Sequence, residues 1–114
     1  MSGRYILKDR VPQKMDSRAA WGMWFEKADR VVAKTILPGD IKILTVFLGV
    51  DHNYMGLGPP LLFETMVFGG EHDGYQERCS TFEEAEEHHM DAVDLVYDAI
   101  KKKTKAEIMN RKAR

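Results

Sequence analysis

Four polar residues stand where the surrounding pattern calls for apolar ones. Glu64 lies inside the run LLFETMVF, between Leu62 and Met66 on its own strand face. His89 falls on the helical stripe Ala85, Ala92, Val93, Val96 and Ile100. Asp51 and His52 follow the run ILTVFLGV at the mouth of a loop rich in glycine and proline. A buried charge is costly unless it is paired or coordinated. Glu64 and His89 are therefore candidate partners, with Asp51 and His52 as neighbours. Carboxylates and imidazoles brought together in this way are ligand types for a divalent metal and, equally, an acid–base set. The plainer reading is a hydrogen-bond network that fixes how a helix docks on a sheet, because a histidine on an apolar helix face is more often a satisfied core group than a ligand.

Other chemistry finds less support. Gly39, Gly69-Gly70 and Gly74 sit in turns between strands, and none opens a helix as a phosphate-binding loop does. There is no HExxH pair and no nucleophile elbow. The single cysteine, Cys79, makes neither an internal disulfide nor a zinc set. No cofactor is called for beyond that divalent metal. In the loop 51–60, Tyr54, Met55 and Leu57 are apolar side chains among glycines and prolines, and such adaptable loops carry recognition.

The elements that must position these residues follow from periodicity. Residues 4–8 read as a short strand ended by Pro12 and its polar neighbours. Asp16 or Ser17 caps a helix over 17–33, whose stripe is Trp21, Trp24, Phe25, Ala28, Val31 and Val32. Residues 35–37 form a short strand, Pro38-Gly39-Asp40 a turn, and 41–50 a long strand apolar on both faces. A second such strand covers 61–68, and a polar edge strand covers 75–79. Thr81 and Glu84 make a capping box that opens a helix over 81–104, with acids at its positive end and lysines at its negative end. The pattern predicts an α+β fold: one domain over 1–105, an antiparallel sheet of four or five strands, and both helices on one face. A basic tail, 106–114, is expected to fray.

The chain of 114 residues is 44% hydrophobic and 31% charged, which is globular composition with room for one core. No run is long and apolar enough to span a bilayer, and MSGRYILKDR carries charge where a secretion signal needs an apolar stretch. A reducing cytoplasm is the expected compartment. The net charge of −1 hides an asymmetry. Residues 1–100 carry 10 Lys/Arg against 17 Asp/Glu, and residues 101–114 carry seven Lys/Arg against one acid. The basic tail reads first as a solvated helix end. A nucleic-acid contact through it, helped by Arg10, Lys14 and Arg18, would meet repulsion from the acidic body.

The strings FLGVDHN (47–53), PPLLFETMVFGG (59–70) and ERCSTFEEAEEHH (77–89), preceded by Trp24, Phe25, Glu26, Asp29 and Arg30 in the pattern WFE-x-x-D-R, carry a resemblance. Over about residues 21–93 the sequence resembles a set of short proteins, with no assigned activity, encoded by tailed bacteriophages and their prophages. It departs from them at Cys79, where an aromatic residue is expected, and at His88, where glycine is expected; His89 matches the histidine of the set. The resemblance implies an accessory protein, and its match at Asp51, His52, Glu64 and Arg78 implies a polar functional site. The leading expectation is a module that binds a host or phage protein or a small ligand. A small metal-dependent or acid–base enzyme built on Asp51, His52, Glu64 and His89 is the alternative. Two helices cannot cover both faces of the sheet, so a homodimer through the bare face or its edge is also expected.

Overall fold

A computed structural model describes residues 3–113. Its elements run β1 (Tyr5–Lys8), β2 (Val11–Lys14), α1 (Arg18–Lys27), β3 (Val31–Leu37), β4 (Ile41–Phe47), β5 (Phe63–Phe68), β6 (Gln76–Cys79) and α2 (Phe82–Lys112). Strands β3 to β6 form one antiparallel sheet in sequence order, and β1 pairs with β2 in a separate hairpin. The α+β class and the four-stranded antiparallel sheet agree with the sequence pattern. Among the described residues no helix is long and apolar enough to cross a membrane.

Alternation along β4 decides the layering. Ile41, Ile43, Thr45 and Phe47 are buried, while Lys42, Leu44 and Val46 are only half-buried. The register sets Thr45 opposite Thr65 and Phe47 opposite Phe63, so the inner row continues across β5. α2 lies on this inner face and buries Ala85, His89, Ala92 and Val96. Two apolar clusters result. One holds Ile41, Ile43, Val67, Ala92 and Val96; the other holds Phe47, Leu62, Phe63, Cys79 and Ala85. α1 joins the second cluster through Trp24, whose ring meets Phe47 edge-on at 5.8 Å. Both helices thus serve one face. The apolar reading of both faces of β4 predicts cover on both sides, and the outer side has none from these elements.

Several boundaries differ from the pattern. α1 ends at Lys27, not at residue 33, and Val31 and Val32 belong to β3. A step of three or four fits a helix, but β-branched valines at the end of such a stripe fit a strand equally well. The local signal for the break is Asp29, whose Oδ1 accepts the Val31 N–H at 3.1 Å and turns the chain. Arg30 then clamps the sheet: its guanidinium donates to the Phe47 carbonyl at 3.0 Å and stacks 4.0 Å above the Phe25 ring.

Pro12 does not end the first strand but lies within β2 opposite Leu7. The Met15 N–H donates to Arg4 O, so alternate pairs from there outward are the bonded ones and Leu7–Pro12 is not. The missing proline N–H therefore costs the hairpin nothing. β4 stops at Phe47, short of residue 50; β5 begins at Phe63 and β6 at Gln76. α2 runs to Lys112, not 104, so the tail expected to fray from 106 is helical to Lys112. Nothing in KKKTKAEIMNRK breaks a helix, and Arg111 and Lys112 complement the dipole in the last turn. Arg114, counted in that tail, and Met1 and Ser2 lie outside the described residues.

Gly49 joins these parts. Its carbonyl accepts both the Tyr5 N–H at 2.8 Å and the Trp21 indole N–H at 3.0 Å. Its φ is +79°, and a Cβ there would stand 2.9 Å from the Phe25 ring. Gly39 shares a positive φ, +88°, but opens onto empty space. Gly49→Ala is therefore expected to cost about 3 kcal/mol, combining backbone strain with a clash. Gly39→Ala should cost about 1 kcal/mol, from backbone strain alone. Urea unfolding of the two variants checks the difference.

Candidate functional site

The buried histidine is met by threonines. His89 is 3% exposed; its Nδ1 lies 2.8 Å from Thr45 Oγ1 and its Nε2 lies 2.8 Å from Thr35 Oγ1. Thr45 Oγ1 lies 2.7 Å from Thr65 Oγ1. The chain Thr35–His89–Thr45–Thr65 crosses the inner face between the two apolar clusters. A neutral imidazole has one donor and one acceptor nitrogen, and hydroxyls rotate to suit either tautomer. All the ring's hydrogen-bonding capacity is thus used inside the fold. Burial pushes the His89 pKa down, because the charged ring loses water and no carboxylate replaces it.

Glu64 is elsewhere. It follows Phe63 and precedes Thr65, both inward, so its side chain is on the outer face. The expected Glu64–His89 pair is therefore absent: the two residues stand on opposite sides of the sheet. Glu64 is paired instead with Arg78, its direct cross-strand neighbour, whose Nε is 2.9 Å from Glu64 Oε2. Gln76 also donates to that oxygen. With a third of Arg78 exposed, this ion pair contributes under about 1 kcal/mol.

Asp51 and His52 are bound up in the loop they begin. Asp51 Oδ1 accepts the Asn53 N–H at 2.7 Å and the Leu61 N–H at 2.9 Å, tying the loop's two ends together. His52 Nδ1 lies 2.8 Å from Val50 O; a carbonyl only accepts, so Nδ1 carries the proton and Nε2 is the basic nitrogen when the ring is neutral. The Tyr54 ring stands 5.6 Å from that of His52, and Tyr54, Met55 and Leu57 project outward from the loop. Asp51, His52, Glu64 and His89 therefore occupy three separate places. Among the described residues no three His, Cys, Asp or Glu side chains come together as a metal site.

Other side chains differ from their sequence reading or were not singled out by it. His88 is half-buried, and its Nδ1 has no hydrogen-bond partner. Cys79 is buried at the end of β6; burial, reinforced by the Glu84 charge, pushes its thiol up to about 11. Sequence reasoning expected one face of the sheet to stay bare but did not say which side chains line it. Val31 (48%), Ile36 (56%) and Phe68 (38%) are exposed there, beside half-buried Leu44, Val46 and Met66. The signal was present in the second apolar set of each central strand, and placing the helices decides which of the two sets is left bare. Lys42 stands on this face between Ile36 and Phe68, its ammonium 4.8 Å from the Phe68 ring centroid, and Lys34, Arg78 and one acid, Glu64, flank Leu44, Val46 and Met66. Family models, characterised proteins and solved structures give no match to this chain.

Two expectations follow. His89→Gln and Thr45→Val should each cost about 1–3 kcal/mol by leaving buried partners unsatisfied, while Glu64→Gln should cost under about 1 kcal/mol. The unfolded chain protonates His89 near pH 6.5, and the folded chain does so only at lower pH. This contribution to stability is therefore complete above pH 6.5 and declines as pH falls through that value; in His89→Gln it should vanish. Chemical unfolding across that range reads both. Separately, Cys79 should resist alkylation at neutral pH in the native protein and react at once in denaturant, as thiol titration will show.

Proposed function

We propose that this protein is a binding module whose uncovered sheet face receives another protein. The observation that carries this reading is the apolar patch of β3, β4 and β5 on the side away from α2, with exposed Val31, Ile36 and Phe68 around half-buried Leu44, Val46 and Met66. An apolar face flanked and interrupted only by a few polar groups marks an interaction surface. Three cations against one acid on this face favour a partner that brings apolar side chains interspersed with carboxylates. The flatness of a sheet face favours a protein over a small ligand, which seeks concavity. The likeness to short phage-encoded proteins supports a host or phage protein as that partner.

The acid–base and metal reading has less support, since its four residues lie in three places and His89 spends both ring nitrogens on threonines. The test is a pair of charge insertions on the open face. A partner captured by wild type from infected-cell lysate, then purified, should lose about 100-fold in affinity for Ile36→Glu/Phe68→Glu. Circular dichroism should show that variant folded, because both positions are exposed. Undiminished affinity in the folded variant, or loss instead on Met55→Ser/Leu57→Ser, would contradict this reading and move the contact to the loop.

A further inference from the structure

α2 is longer than the sheet it serves. Its 31 residues span about 46 Å, whereas a seven-residue strand spans about 23 Å. Ile100 is the last residue packed against the core, and every residue from Lys101 to Ala113 is exposed. About three turns of helix therefore project beyond the sheet. Most helical stability in proteins comes from tertiary packing, which these turns lack, so the projection gains from a partner.

The outer face of α2 has an order of its own. Steps of four and three carry one stripe through Met90, Asp94, Tyr97, Lys101, Thr104 and Ile108. This stripe lies well over a quarter turn from the buried row Ala85, His89, Ala92 and Val96, and Met90, Tyr97 and Ile108 on it are exposed. Charge divides along the helix. The exposed acids Glu83, Glu86, Glu87, Asp91, Asp94 and Asp98 occupy the half over the sheet. The cations from Lys101 to Lys112 occupy the projecting half, with Glu107 the one acid among them.

We propose that this face seats a second copy of the chain, with the two α2 helices antiparallel about a twofold axis between Tyr97 and Lys101. Antiparallel seams interleave the two kinds of stripe position, and here that pairs like with like and opposite with opposite. Met90 meets Ile108 of the second copy, giving an apolar layer at each end. Tyr97 meets Lys101 of the second copy, repeating across the axis the cation–π contact that Lys101 already makes with its own Tyr97 at 5.1 Å. Glu87 meets Arg111 of the second copy. On the solvent flank, Asp91 meets Lys112 and Asp98 meets Lys105. Two like-charged approaches, Glu86 with Glu107 and the two Lys101 side chains on either side of the axis, stand against these three opposite-charged ones. A parallel pair would set acid on acid and lysine on lysine along its whole length. The sheets lie on the far side of each helix, so the projecting half of each α2 runs along the acidic half of the other.

This surface is distinct from the open sheet face, and its test does not depend on that reading. Sedimentation equilibrium of the full chain should show a dimer at about 0.1 M salt whose dissociation constant rises at least tenfold at about 1 M salt, where screening shortens from about 10 to about 3 Å. Glu87→Lys should weaken the dimer about tenfold, and adding Arg111→Glu should restore it. Oxidation of Met90→Cys/Ile108→Cys should give a covalent dimer, while each single cysteine gives none. Both sites are exposed, so folding is spared, and buried Cys79 does not compete. A monomer at high micromolar concentration in low salt would overturn the proposal. So would crosslinking of the single-cysteine variants, which reports parallel helices. A dimer abolished by Ile36→Glu/Phe68→Glu but indifferent to Glu87→Lys would place self-association on the sheet and overturn it equally.

Discussion

The contact between His89 and the strand hydroxyls is the constraint on which the rest of this structure depends. Apolar packing alone would let a long amphipathic helix slide along a sheet with little change in buried area. A fully buried imidazole bonded at both nitrogens, to Thr35 and to Thr45, does not permit that. Shifting α2 by one turn would take the ring from both hydroxyls and leave Thr45 with Thr65 alone, at a cost of about 1–3 kcal/mol for each buried group left unsatisfied. The network also divides the interior, with the Ile43–Val67 cluster on one side and the Phe47–Phe63 cluster on the other. It therefore sets which part of α2 covers the sheet and which part projects.

The two exposed surfaces follow from that placement. One helix and one short helix can cover a single face of four strands, so the alternate side chains of β3, β4 and β5 stay outside. The same register leaves the C-terminal third of α2 beyond the sheet edge. Both features follow from tying an overlong helix to a small sheet at one polar point. Glu64 belongs to the outer surface, where Arg78 and Gln76 satisfy it without the core.

Much of the fold was legible. Thr81 and Glu84 announced the start of α2 and make both bonds of the capping box. The alternation in ILTVF and FETMVF announced the central strands, and the stripe argument placed His89 in the core. What failed had physical reasons. Alternation tells which residues share a face, but not which face the helix takes; Glu64 was one residue out of phase with the buried set, and in a strand one residue is the difference between the two sides. Val31 and Val32 satisfied the helical period by coincidence, and the break was decided by Asp29 and by Arg30 reaching Phe47. Thr35, Thr45 and Thr65, the partners of His89, read as ordinary β-branched strand residues. The outer stripe of α2 was hidden because three of its six members, Asp94, Lys101 and Thr104, are polar.

The protonation state of His89 tests the account most directly. Nitrogen-15 NMR of the imidazole ring, followed as pH is lowered through 6.5, distinguishes a neutral ring held by two hydroxyls from a mobile one. The account predicts ring nitrogens that stay in the neutral pattern below pH 6.5, with a single tautomer dominant and slow exchange of its N–H proton. A ring that titrates at 6.5 with both nitrogens averaged would show that α2 is not fixed by this contact, and the division into covered, open and projecting surfaces would lose its cause.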